Sequence, residues 1–347
     1  MKHRLFNVSL VLCLALVVAV SSLQGQNRRT GTAAATELLI PVGGRDLAMG
    51  GASLATTSGI DAMYWNPAGL GRMKTSAEGM FSNMSYIADI GVSYGAVAGS
   101  FGEFGVLGLS VKSLDFGDIP LTTEDDPENE SNRFFSPTFV TVGLSYSRSV
   151  TDAISFGLSL KIISEQIERV SGTGFGLDFG VQYDGVAGIS GFAFGLAVKN
   201  IGPQMEYDGP GLYRLAISRD GRPEQRYKID AAGFELPSTI EIGLSYTGAM
   251  QNNVGYSVSG GFLNNNLYLD EFRLGGEVSY SMEELQLHGR AGLATVTQAE
   301  ENTDVFGPTF GAGITYNTAG IGITIDYAYR SVDFFDANNV FSVKLGF

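Results

Sequence analysis

The sequence has little of what most enzymes rely on. It contains one cysteine, Cys13, and two histidines, His3 and His288, in 347 residues. Cys13 lies in an apolar run at the very start, so the rest of the chain can form no disulfide framework and no thiolate metal site. It follows Leu12 and comes too early for a lipoprotein cleavage site. His288 would have to serve any Ser-His nucleophile, and no G-x-S-x-G sequence singles out a serine to partner it. Cations are scarce as well: 22 Lys and Arg stand against 36 Asp and Glu, a net charge of −14 that argues against nucleic acid as a partner. Gly172-x-Gly174-x-Gly176 has strand surroundings and no following helix, so dinucleotide binding is not indicated. After residue 26 no apolar run approaches the ~20 residues of a transmembrane helix. No catalytic residues and no cofactor are expected, and the chain reads as non-enzymatic.

The chain does begin with Lys2 and Arg4, an apolar run from Leu10 to Val20, and the polar exit Ser21-Ser22-Leu23-Gln24-Gly25-Gln26. This pattern predicts a secretory signal peptide over 1–26, with cleavage near Gly25 or Gln26. About 320 residues remain, enough for one barrel or two ordinary domains.

The whole sequence is rich in glycine (47), phenylalanine (22) and tyrosine (15), with only 17% charged, which suits a sheet that is apolar on one face. From Ala77 onward one theme repeats: about ten alternating residues, then a break at Gly, Asn, Asp or Pro. Ile154, Phe156, Leu158, Leu160 and Ile162 alternate with Ser155, Gly157, Ser159 and Lys161. Phe341, Val343, Leu345 and Phe347 alternate with Ser342, Lys344 and Gly346, so the chain ends on an aromatic. The pattern predicts fourteen strands, at 77–86, 91–101, 104–114, 135–148, 153–169, 173–183, 190–199, 237–247, 253–263, 267–281, 284–295, 305–317, 320–331 and 338–347. The connections after every second strand are short, from Gly102-Glu103 to Thr318-Ala319. The three longest, 115–134, 200–236 and 296–304, all fall on the opposite side, as in bacterial outer-membrane barrels. Inward-running strands end on Tyr146, Tyr183, Tyr246, Tyr280, Tyr316 and Phe347, a candidate periplasmic aromatic girdle. Phe101 fits less well, being out of phase with Val92, Tyr94, Ala96 and Ala98. The competing reading is a soluble β-sandwich or solenoid, whose sheets also alternate.

The expected fold is therefore an all-β transmembrane antiparallel barrel of about fourteen strands at 76–347, in the bacterial outer membrane and in contact with its lipid. Its inward face reads as mainly Gly, Ser, Ala and Thr, with charges at Lys112, Lys161, Asp178, Lys199, Glu241, Arg273, Glu277, His288, Arg290, Asp326, Arg330 and Lys344. Because ~8 strands already leave just enough interior for side chains, a lumen of fourteen is either wet or plugged. Residues 27–75 are the candidate plug, or hatch. They hold short turns broken by glycine, a turn initiator at Asn66-Pro67, and the chain's one tryptophan, Trp65.

In this segment, Gly43-Gly44-Arg45 is followed by Met49-Gly50-Gly51-Ala52 and then by Trp65-Asn66-Pro67-Ala68-Gly69-Leu70. The stretch resembles the start of the PorV/PorQ family, within the wider FadL-like fourteen-stranded barrels. The resemblance implies a hatch and an accessory role in type IX protein secretion, with a larger translocon and the C-terminal domains of secreted cargo as partners. The wider superfamily implies an alternative, a FadL-type channel for hydrophobic small molecules such as long-chain fatty acids. For that reading Leu38, Leu39, Ile40, Leu47, Met49 and Leu54 of the hatch would face a cavity. In loop 200–236, Tyr207, Tyr213, Arg214, Arg219, Arg222, Arg226 and Tyr227 are candidate partner contacts, residue types enriched at interfaces, and a plain folded lid over the pore is the equal alternative for this loop. The acidic run 124–130 reads as a solvated loop more readily than as a Ca²⁺ site, because its spacing matches no EF-hand.

Overall fold

A computed structural model describes residues 33–217, 223–250, 253–296, 305–318 and 320–347. The expected signal peptide lies outside the described residues. Fourteen strands form the wall: β1 (Ala77–Ser85), β2 (Gly91–Ser100), β3 (Val106–Asp115), β4 (Thr138–Ser149), β5 (Ile154–Ile167), β6 (Val170–Asp184), β7 (Phe192–Ile201), β8 (Thr239–Met250), β9 (Val254–Asn265), β10 (Glu271–Ser281), β11 (Leu285–Val296), β12 (Phe306–Thr318), β13 (Ile321–Val332) and β14 (Asn338–Gly346). Each pairs antiparallel with its neighbours in the sequence. The sheet closes where β1 meets β14, from Glu78 opposite Gly346 to Ser85 opposite Asn339. The Phe347 amide donates to the Ala77 carbonyl at 2.9 Å, so the final aromatic completes the seam. Closure leaves no wall strand with a free edge, which is the condition for strands to cross a membrane.

Alternation decides which residues face outward. On β5, Phe156, Leu158, Leu160 and Ile162 are 49, 39, 42 and 44% exposed, while Ser159 and Lys161 between them are buried. A soluble sandwich would bury the apolar set against a second sheet. Here it stands bare around the barrel, as a lipid-facing belt does. Among the described residues no helix is long and apolar enough to cross a membrane. An Arg at the belt's mid-height costs ~2–4 kcal/mol in such barrels. Leu160→Arg is therefore expected to lower folding stability in lipid vesicles by that amount, measured by urea titration. Ser164→Arg, outward but near the outer rim, should change it little.

The wall departs from the expected pattern in β1–β3. There Met80, Met84, Val92, Tyr94, Ala96, Ala98, Val106 and Leu114 are buried inside, whereas Gly79, Gly95 and Val97 face out. Phe101, 60% exposed, was therefore in the outward phase and Val92 to Ala98 were not. The lumen is also less polar than expected in this sector. The reason is the partner it packs against: Val42, Ile60, Met63 and Leu70 of the hatch form one apolar cluster with Met80, Tyr94 and Val106. A wall strand that covers an apolar plug must itself be apolar inside.

Between β6 and β7 the register slips, with Leu177 opposite Ile201 but Phe179 opposite Val198. Lys199 and Asn200 therefore share the place facing Asp178. Asn200 takes φ +59°, a conformation asparagine tolerates, and its amide donates to Asp178 Oδ1 at 2.8 Å.

Candidate functional site

Residues 33–75 lie inside the barrel. They enter at the outer loops, where the Ala34 amide donates to the Glu235 carbonyl at 3.1 Å, and leave at the inner rim beside Ser76. No helix among them exceeds six residues: Thr36–Leu39, Gly44–Ala48, Ser53–Ala55, Gly59–Asp61, Ala62–Trp65 and Pro67–Arg72. Such turns cannot hold themselves together, so the wall supplies both their core and their hydrogen bonds.

The wall makes room by omitting side chains. A Cβ at Gly157 would lie 2.1 Å from the Pro67 carbonyl carbon, and one at Gly180 would lie 2.1 Å from Asn66 Oδ1. Gly275 and Gly292 receive Met49 and Gly50 in the same way, and Gly195 receives the Leu54 carbonyl. Wall glycines therefore seat hatch backbone directly on strand backbone. Asn66 fixes this contact, its Nδ2 donating to the carbonyls of Leu54 (3.0 Å) and Val181 (3.2 Å) while its Oδ1 accepts from the Ala68 amide (3.2 Å). Pro67 follows it at the first helical position, where no amide hydrogen is needed. Trp65 is buried, and its indole N–H donates to the Val42 carbonyl at 3.1 Å. Gly50 and Gly51 adopt φ +64° and +71°, and a side chain at Gly51 would strike the Trp65 ring. Gly43 turns at φ +80°, and the Gly44 amide donates to Ser342 Oγ at 3.1 Å.

Charges complete the clasp. Arg45 pairs with Asp46 at 3.1 Å and reaches Glu277 at 3.7 Å, and Lys344 pairs with Asp61. In the wall, Lys161 meets Asp178 at 2.6 Å, Lys199 meets Glu241 at 2.5 Å, and Arg273 meets Glu241 at 3.1 Å and Glu271 at 2.9 Å. Arg290 holds Glu277 at 2.5 Å and Asp326 at 2.6 Å. Lys112 donates to the carbonyls of Glu37 (2.6 Å) and Ile40 (2.5 Å). His288 Nε2 lies 3.4 Å from Thr315 Oγ1, with no serine among its hydrogen-bond partners.

Two cavities beside the hatch share no lining residue. The inner one, about 820 Å³, is polar and is bordered by Arg45, Thr56, Ser58, Thr247, Ser257 and Glu277. The outer one, about 680 Å³, falls within the usual range of small-molecule sites. Leu38, Leu39, Ile40 and Leu47 of the hatch face Leu114, Phe116, Phe139 and Phe306 of the wall across it. Met49 and Leu54, expected at the same cavity, instead lie buried against the wall glycines. Four cations border the outer cavity, namely Lys161, Lys199, Arg273 and Arg330. The first three are paired with carboxylates as above. Arg330 has no carboxylate within ion-pair distance among the described residues. Its guanidinium stacks on Phe306, 3.9 Å from the ring centroid. Asn338, with its amide oxygen turned toward it, accepts from Nη2 at 2.6 Å and Nε at 3.1 Å. A guanidinium carries five N–H donors, so some remain open toward the cavity.

The remaining sequence candidates are scattered. Tyr183, Tyr246, Tyr280, Tyr316 and Phe347 are outward-facing and exposed at the inner strand ends, and Tyr146 there donates to the Phe104 carbonyl at 2.6 Å. Tyr213, Arg214, Arg226 and Tyr227 stand exposed on a small antiparallel ladder, Tyr213–Ala216 with Gln225–Lys228. Arg219 and Arg222 lie outside the described residues. Tyr207 departs from the expectation of a surface contact. It turns inward against Phe234 and donates to Glu165, because its two-residue strand extends the wall beside β6. In the acidic run, Asp126 accepts from the amides of Glu130 (2.6 Å) and Ser131 (3.1 Å), an ordinary loop cap.

Solved barrels share this architecture. The toluene transporter TbuX of Ralstonia pickettii aligns over 88% of this chain and 98% of its own, at 15% identity and a TM-score of 0.55. The toluene transporter TodX of P. putida aligns over 88% and 99%, at 14% identity and 0.54. The fold is that of these toluene transporters. No family model matches the chain. No curated protein matches it either.

Proposed function

We propose that this protein is a non-enzymatic outer-membrane channel for hydrophobic small molecules, of which long-chain fatty acids are one class. The outer cavity is the observation that carries this reading: its walls are largely aliphatic and aromatic, and the one bordering cation without a carboxylate among the described residues, Arg330, matches a ligand with one anionic end. A half-buried guanidinium without a carboxylate is costly, and a bound carboxylate offsets that cost through charge-assisted hydrogen bonds. The likeness in fold to toluene transporters supports the same reading.

Hydrogen bonds to charged groups contribute ~1.5–3 kcal/mol. Arg330→Met is therefore expected to weaken hexadecanoate binding at least tenfold while leaving hexadecanol within about twofold, read by displacement of a fluorescent probe from the detergent-solubilised barrel. Equal losses for both ligands would remove Arg330 from recognition. Failure of either ligand to bind the unmodified protein would sink the channel reading.

The second reading is the secretion accessory that Trp65 to Leu70 suggest by resemblance. The exposed ladder of Tyr213–Ala216 with Gln225–Lys228 favours it, since its aromatic and cationic side chains are open to a partner. It predicts that replacing Tyr213, Arg214, Arg226 and Tyr227 with Ser abolishes recovery of a translocon barrel or cargo in a pull-down, with hexadecanoate binding intact.

A further inference from the structure

The first turn of the hatch forms a strap across one side of the outer cavity, with Thr36 through Pro41 all on its border. Three parts of the chain meet at its root. Ala34, Ala35 and Leu38 of the strap pack with Ile163 of β5 and with Met205 and Leu236 of the long outer loop. Within this apolar cluster sit two carboxyl groups. Glu165 of β5, 2% exposed, accepts from the Ala35 amide at 3.0 Å and from the Tyr207 hydroxyl. Glu37 of the strap, also 2% exposed, has its carboxyl beside that of Glu165, yet neither of its oxygens has a donor among the described residues.

A buried carboxylate without any donor is expensive, and two side by side are more so. A single proton resolves both problems: the neutral Glu37 acid donates to the Glu165 carboxylate. We propose that Glu37, Glu165 and Tyr207 form a proton-held latch that seats the strap between the wall and the outer loop, and that losing the shared proton frees the strap from the mouth of the cavity. This goes beyond the channel reading and does not depend on it.

The charged and titratable groups facing Glu37 are Glu165 and Lys161 on β5, Lys112 on β3 and Tyr207 on the loop. Lys112 donates to strap carbonyls and its charge favours the ionised Glu37, but less than burial and Glu165 oppose it, while Lys161 is paired with Asp178. Burial, followed by the charge and hydrogen bond of Glu165, pushes the Glu37 carboxyl up to about 8. Burial and Glu165 likewise raise the Tyr207 phenol, which keeps it a donor through this range. The sign follows. An acid whose folded value is raised binds more protons folded than unfolded, so its contribution is complete near pH 4 and is lost as pH rises through about 8.

The test uses Ala34→Cys, a small change at a position 2% exposed in the latch cluster. Thiol labelling by a membrane-impermeant maleimide is followed from pH 6 to 9.5 in lipid vesicles. Phe334→Cys, at a residue 76% exposed, supplies the correction for thiolate ionisation, and the protein without an added cysteine supplies the blank. The corrected rate at position 34 is expected to climb at least tenfold, with a midpoint near pH 8. Adding Glu37→Gln, which keeps a donor to Glu165 and cannot ionise, should hold the rate flat and low. A corrected rate that does not change with pH, or one that climbs identically with Gln at position 37, overturns the latch. Because no ligand is present, failure here leaves the channel reading standing.

Discussion

Gly157→Leu combined with Gly180→Leu is expected to unseat the hatch without dissolving the barrel. The two glycines lie directly opposite each other on β5 and β6, and Asn66-Pro67-Ala68 rests on both. A Cβ at each would fall 2.1 Å from hatch atoms, and at Gly157 the atom struck is backbone, which cannot rotate away. Overpacking a tight contact commonly costs ~1–3 kcal/mol per site, and two such sites meet the same turn. The wall strands keep their own hydrogen bonds, so the heat-modifiable band shift of a folded barrel should survive. Conductance in planar bilayers should rise at least tenfold, and protease should cut between residues 50 and 75. Gly79→Leu is the control, since a Cβ there meets nothing within 4 Å. Unchanged conductance and proteolysis in the double variant would show that the hatch does not depend on wall glycines.

The second large effect is expected from Arg290→Met. Arg290 bridges Glu277 on β10 and Asp326 on β13, with side-chain exposures of 2, 14 and 1% respectively. Removing the cation leaves Asp326 in the interior with only the longer contact to Lys344, at 3.9 Å, and deprives Glu277 of its shortest partner, with Arg45 of the hatch remaining at 3.7 Å. Breaking such a buried pair from one side costs ~3–5 kcal/mol. Urea unfolding in lipid vesicles should show a loss of that size, and adding Asp326→Asn should restore part of it. A loss below ~1 kcal/mol would mean that water reaches the pair and screens it.

Much of this architecture could be read from the residues, and the reasons differ by region. Strands such as β5 and β14 alternate because each has lipid on one side and a polar lumen on the other. A period of two then identifies both the strand and its faces. β2 alternates too, but the apolar hatch reverses its sense, and nothing within Gly91 to Ser100 records what packs against it. Asn66-Pro67 marked a turn, but its wall partners, Gly157 and Gly180, are about 90 and 113 residues away and looked like ordinary lumen glycines. Tyr207 looked like a surface tyrosine because its acceptor, Glu165, comes from another strand. Glu37 carried a faint signal, as an acid just before Leu38-Leu39-Ile40, a poor place for a charge. The open donors of Arg330 had none, because pairing among lumen charges depends on register across strands.

The most direct test of a hydrophobic-ligand channel is gentle affinity purification of the tagged protein from outer membranes, with bound lipids and proteins identified together by mass spectrometry. The account predicts a barrel carrying a stoichiometric hydrophobic small molecule, lost or diminished in Arg330→Met if that molecule is anionic. Recovery of a ligand-free barrel in complex with a larger translocon, or with exported proteins sharing a C-terminal domain, would contradict it and establish the secretion role instead.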